Sequence, residues 1–216
     1  MSQFIEPDYG VSLLSYEVLL EDHDWITRRG VAQALYEGGH PEAARLLRKS
    51  LADPDERVRL FAAQALELIA ERHQNAISRF RNEIREQPEN GRIRIDIARQ
   101  LWDYAVQCVE SKEVRRHIFT EAREHLNAAV QEGETTPATL MLQGKILFRL
   151  EEYNAARSAL ESIKPSEKEY ARARFLLAEI WLAEGFPQLT RKECERIKDR
   201  PLPPDLRDAV DFWCEN

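Results

Sequence analysis

Apolar residues recur at helical spacing along the chain, and they fall into two sets of repeats with different periods. Residues 19–35 read LLEDHDWITRRGVAQAL and residues 51–66 read LADPDERVRLFAAQAL. A shift of 31 residues lays Ala32-Gln33-Ala34-Leu35 on Ala63-Gln64-Ala65-Leu66. The same shift lays Leu20 on Leu51, Asp22 on Asp53, Asp24 on Asp55 and Arg28 on Arg59. Asp24 and Asp55 stand where a carboxylate accepts the free N–H groups of a helix's first turn. The Ala-x-Ala-Leu segment then supplies small residues for close helix contact and a leucine for the core. A loop holding Gly38, Gly39 and Pro41 is predicted to end one helix and begin another over residues 42–51.

The second half keeps a different beat. Ala122, Ala156 and Thr190 are spaced by 34, as are Leu126, Leu160 and Cys194, and Ala129, Ile163 and Ile197; Gly144 pairs with Ala178 at the same offset. Between the halves, residues 56–86 contain neither Pro nor Gly, which predicts one long helix or two abutting ones. Gln87-Pro88-Glu89-Asn90-Gly91 is the clearest break. Pro201, Pro203 and Pro204 introduce a last amphipathic helix, predicted over residues 205–214, with Val210 and Trp213 turned inward as a cap. The first array, over about residues 11–70, resembles compact HEAT repeats. A 34-residue period of paired helices is the tetratricopeptide (TPR) signature, and residues 137–165 resemble such a repeat in detail. There, Gly144 takes the small position where the two helices meet, Tyr153 precedes the second helix and Ala156 is its first buried small residue. The expected fold is all-α, a right-handed α-solenoid of ten or eleven helices. HEAT-like repeats and a connecting helix would occupy residues 1–87, and TPR-like repeats with a capping helix residues 88–216.

Composition narrows the function. The net charge of −7 leaves no excess of Lys and Arg for a general nucleic-acid binder. The longest uncharged run, Thr135–Gly144, is half the length of a membrane-spanning helix, and the first residues, MSQFIEPDYG, do not read as a secretory signal. Three cysteines without short spacing, Cys108, Cys194 and Cys214, fit free thiols in a reducing compartment. Phosphate-binding glycine loops, an HExxH pair and a nucleophile elbow are all missing from the sequence. His117 and His125 are eight apart with no third ligand evident, so they read as surface or interhelical histidines rather than a metal site. His23 lies between Asp22 and Asp24, but the repeat assigns both aspartates to helix starts. Cys108 and Cys194 read as small core residues. The basic stretch from Arg72 to Arg85 reads first as a solvated helix face and second as a dock for an anionic partner. No catalytic residue, cofactor or metal is expected.

Function is then expected from surface shape. The first helices of TPR pairs line a groove, and carried over by position the lining here is Ala138, Met141, Lys145 and Phe148, then Arg172, Phe175, Glu179 and Leu182. Met141, Phe148, Phe175 and Leu182 would make an apolar floor, and Lys145 and Arg172 would meet a carboxylate. The competing expectation is that another helix of the chain fills the groove. The Lys/Asn set of chaperone-binding TPR clamps is missing.

The order of HEAT-like repeats, long helix and TPR-like repeats, together with DIARQLWDYAVQCVESKEVRRHIFTEAREHLNAAV (residues 96–130), is similar to the cytoplasmic region of the PelE family of bacterial exopolysaccharide scaffolds. The Trp-containing segment Gln100–Tyr104, Val114-Arg115 and the stretch VRLFAAQALELIAER (residues 58–72) carry the resemblance. It implies a non-enzymatic adaptor at the inner face of the bacterial inner membrane. Such an adaptor would hold a cytosolic glycosyltransferase and inner-membrane Pel proteins, meeting the membrane through partners or an N-terminal anchor outside this sequence. The alternatives are a TPR adaptor in another assembly and, less favoured, a HEAT-type lyase or cofactor-binding protein.

Overall fold

The computed structural model describes residues 13–39 and 42–215, with the side chains of 13–15, 204 and 205 left aside. Pro41 lies outside the described residues. Among them the fold is all-α, a helical-repeat solenoid in which HEAT repeats precede TPR-like ones, with no strand. Eleven helices follow one another: α1 (Leu13–Leu19), α2 (Trp25–Gly38), α3 (Ala43–Ser50), α4 (Glu56–Glu86), α5 (Gly91–Cys108), α6 (Lys112–Gln131), α7 (Pro137–Arg149), α8 (Tyr153–Glu161), α9 (Tyr170–Ala183), α10 (Pro187–Glu195) and α11 (Pro204–Glu215). The region between the halves is one continuous helix, α4, and it ends at the expected break. The chain forms two compact units: the described residues up to Ala76 with Val106–Val109, and Ile77–Ala105 with Glu110 onward. The division falls inside α4, whereas the sequence pattern keeps that helix whole with the first repeats.

In the first unit the loops before α2 and α4 are copies of one another. The Asp22 carboxylate accepts the Asp24 N–H at 2.8 Å, and Asp53 accepts the Asp55 N–H at 2.8 Å. Asp24 then caps α2 by accepting from the Ile26 N–H at 3.1 Å, and Asp55 accepts from the Arg57 N–H at 2.9 Å. Arg28 Nη1 donates to the carbonyls of Asp22 (2.6 Å) and His23 (3.1 Å); Arg59 Nη1 donates to those of Asp53 (2.7 Å) and Pro54 (2.9 Å). Arg28 also grips Asp53 bidentately at 2.7 and 2.8 Å, tying the two loops together. The apolar half of the repeat departs from expectation. Ala32 and Leu35 are buried, but Ala63 is exposed and Leu66 half-buried, while Ala62 and Ala65 face the core. The inward stripe of α4 therefore runs one residue earlier than the 31-residue shift predicts, because the loop contacts fix where the helix starts and α4's own packing fixes its rotation. Arg57 lies 3.3 Å over the Trp25 ring, Arg29 is 5.8 Å from Phe61 and Arg72 is 5.3 Å from Tyr36.

In the second unit the 34-residue register governs burial. Ala122, Ala156 and Thr190 are buried, as are Leu126, Leu160 and Cys194, and Ala129, Ile163 and Ile197. A Cβ on Gly144 would stand 2.5 Å from Leu160 Cδ2, so only glycine lets α7 approach α8 this closely. Arg123, Arg157 and Arg191 share the period, and each reaches outward from its own repeat: to Glu152, to Glu184 and, at 3.2 Å, to the Cys214 carbonyl. The turns after α7 and α9 place Glu151 and Gly185, also 34 apart, at φ 65° and 83°. Val210 is buried and Trp213 packs on the same core, with α11 resting on α9 and α10.

Candidate functional site: the A-helix face of the second unit

Thr136 starts α7 by accepting from the Thr139 N–H at 3.2 Å, and Pro137 sets its first turn. The expected groove positions then fall at i, i+3, i+7 and i+10 on both α7 and α9, one face of each helix. Met141 does not join them: it is buried in the apolar core beneath. Phe148 and Phe175 are half-buried and rest against that core, and the Phe148 ring sits 6.0 Å from Tyr153. They are walls with one face free rather than wholly open anchors. Leu182 is 46% exposed, and Ala138, Arg172 and Glu179 are exposed.

Sequence reasoning missed Trp102 and Arg149 here. Trp102, on α5, tilts against Phe119 at 5.4 Å, and its ring centroid lies 5.9 Å from Lys145 Nζ and 6.0 Å from Arg149 Cζ. Each such contact is worth about 0.5–1 kcal/mol at a partly exposed site. Arg149 was within reach of the helical pattern, one turn beyond Lys145. Trp102 was not, because a 34-residue shift back from α7 assigns a first helix to residues 103–115, whereas α5 starts at Gly91 and ends at Cys108, so the carry-over from α7 does not land on it.

Two titratable groups on this face are shifted from their ordinary values. Burial pushes the Lys145 ammonium down, nearby Arg172 adds to the effect, and Asp103 opposes it. Desolvation raises the Glu179 carboxyl despite the pull of Arg149, although its surface is open to water. Desolvation by the surrounding protein is the leading cause of both shifts. Lys145, Arg149 and Arg172 make no hydrogen bond or ion pair with a carboxylate among the described residues.

Other sequence candidates resolve into structural roles. His117 is exposed, and His125 is half-buried beside Glu121 at 3.9 Å. Among the described residues no group of three or more His, Cys, Asp or Glu is arranged to hold a metal ion. Burial pushes the Cys108 and Cys194 thiols up to about 11, opposite to what a nucleophilic thiolate needs. The arginines between 72 and 85 are engaged by their own chain: Arg79 with Glu83 at 3.7 Å, Arg81 with Glu121 and Arg85 with Asn82 at 3.5 Å. No helix among the described residues is long and apolar enough to cross a membrane.

This geometry defines a helical-repeat protein, and comparison with known proteins agrees on the class. The family model for HEAT repeats matches residues 15–102. The structure is similar to that of a thermophilic TPR protein of Thermus thermophilus, with a TM-score of 0.55 at 17% identity over 87% of this chain and 97% of that one. At that identity the likeness speaks for fold alone. No curated protein matches the sequence.

Proposed function

We propose that this chain is a non-enzymatic scaffold that takes a protein partner on the A-helix face of its second unit. HEAT and TPR arrays generally serve as protein-interaction surfaces. The observation that carries the reading is the gathering of Trp102, Phe148 and Phe175 with Lys145, Arg149 and Arg172 on one face, each ring part-exposed and each cation without a carboxylate ion pair among the described residues. Aromatic and Arg side chains of this kind dominate binding energy at interfaces. The resemblance of residues 58–72 and 96–130 to the PelE family supports a finer reading: a Pel-type exopolysaccharide synthesis complex at the inner face of the inner membrane, with a cytosolic glycosyltransferase as partner.

The test is co-purification of the chain with candidate glycosyltransferases, comparing wild type with Arg172→Glu. Capture by the wild type and its loss in the folded variant is the expected result. Undiminished capture by Arg172→Glu moves the partner to another face. Failure of the wild type to capture any glycosyltransferase removes the Pel reading and leaves an adaptor for a different assembly.

A further inference from the structure

Elsewhere in the second unit several arginines are satisfied within the chain: Arg123 by Glu152, Arg157 by Glu184, and Arg196 by Glu193 at 2.9 Å. The cations around Trp102 differ from these. Lys145 and Arg149 lie over the Trp102 ring at 5.9 and 6.0 Å from its centroid, Arg172 on α9 acts electrostatically on Lys145, and among the described residues none of the three has a carboxylate within ion-pair distance. Two of these cations are already steadied by the indole, so a ligand's carboxylate meets them with less side-chain freedom left to lose. Glu179 and Asp103 are the opposing charges that bear on these cations, two carboxylates against three.

Resting on the groove reading above, we infer that the occupant is an acidic peptide segment: its carboxylates meet Lys145, Arg149 and Arg172, and an apolar side chain lies against Trp102. The charge complementarity fixes the sign of the partner, and the apolar wall fixes its kind. A nucleotide also offers anionic oxygens and a ring to stack on an indole. However, the apolar positions of α9 run from Phe175 to Leu182, about 10 Å along the helix axis, which suits successive side chains of a peptide better than one base. Glu179, midway along that line, opposes a phosphate there and is matched by an amide or a cation in a mixed peptide.

The experiment is selection of a random twelve-residue peptide library on the immobilised full chain, followed by fluorescence anisotropy with fluorescein-labelled versions of the enriched peptides. The expected peptides combine Asp or Glu with aliphatic or aromatic residues. Their affinity falls about tenfold or more in Arg149→Glu and in Arg172→Glu, falls in Trp102→Leu, which keeps an apolar contact with Phe119, and rises in Glu179→Gln. Each variant is used only with a wild-type circular-dichroism melt. Neutral or basic peptides whose binding is lost in Phe175→Ala but not in the charge reversals overturn the acidic partner and keep the groove. Peptides indifferent to every one of these substitutions, or no enrichment at all, overturn both. Displacement of the acidic peptides by a fluorescent ATP analogue that binds more tightly, with the same charge-reversal dependence, assigns the face to nucleotides and overturns the inference.

Discussion

Between the loops before α2 and α4 the polar contacts are reproduced nearly atom for atom, while the buried positions downstream slip by one residue. Between α6, α8 and α10 the reverse holds: nine buried positions keep a strict period, while Arg123, Arg157 and Arg191 find three different acceptors. The first unit thus repeats a set of directional hydrogen bonds, and the second repeats a packing. Directional bonds to carboxylates depend on protonation; a packing depends on volume. The two units should therefore fail under different insults.

The largest expected effect is Gly144→Leu. Its side chain would meet Leu160 at less than contact distance, and overpacking of this kind costs about 1–3 kcal/mol or more. Hydrogen exchange should show protection lost across α7 and α8 and kept in α2 and α3; unchanged melting would disprove the packing register. The counterpart in the first unit is Asp53→Asn, which keeps the shape but removes the charge gripped by Arg28. Protection should fall in α2 and the first turns of α4 only, and by more than in Asp22→Asn, because Arg28 grips the Asp53 carboxylate but only the backbone carbonyl of Asp22.

Acid should separate the units as well. The hydrogen bond from Arg28 lowers Asp53, and the hydrogen bond from Arg57 holds Asp55 at about 2, so the unfolded chain takes up these protons first. Their stabilisation is complete above about pH 4 and is lost as pH falls toward about 2. In the second unit burial pushes the His125 imidazole down. The unfolded chain again binds the proton first, and the loss begins as pH falls below about 6.5. Protection factors corrected for intrinsic exchange should weaken in α6 at mildly acidic pH while α2 is unaffected; simultaneous weakening would contradict the assignment.

Thr190→Ala restores the alanine found at the two matching positions. It gives up the hydroxyl's bond to the Ala178 carbonyl at 3.1 Å, and urea unfolding should show a loss of about 0.5–1.5 kcal/mol. The smallest effect has the opposite sign. Glu151→Gly copies Gly185, relieving about 1–2 kcal/mol of left-handed backbone cost against about 0.5–1 kcal/mol of added chain entropy. A rise in melting temperature is expected, and a fall would show that Glu151 contributes through its side chain.

What was legible in the sequence follows the same division. The 34-residue period located the buried faces of α6, α8 and α10, since small and apolar residues recur only where helices touch. The bounds of α4 followed from its lack of Pro and Gly. The 31-residue shift found the loop aspartates and Arg28, but not the grip of Arg28 on the next loop, which is a contact between repeats rather than a property of one. On the groove, position carried Phe148, Phe175 and Leu182 to the A-helix face but misplaced Met141, because a flexible thioether at a rim position turns into whatever gap the core leaves. Trp102 was invisible to periodicity, for the period is broken in the helix that carries it.

The long helix α4 has a consequence for how such a chain can be altered over descent. Its residues are shared between both compact units, and the chain crosses the division again near Ala105 and Val109, so no single linker separates the two arrays. One residue inserted near Ala76 would turn every later side chain of α4 by about 100° against the earlier ones. The same insertion in the exposed Gln87–Glu89 turn would be absorbed without rotating anything. Gains and losses of length among descendants of this chain should therefore collect at that turn and spare the helix, and a fusion of the two arrays is inherited in whole register or not at all.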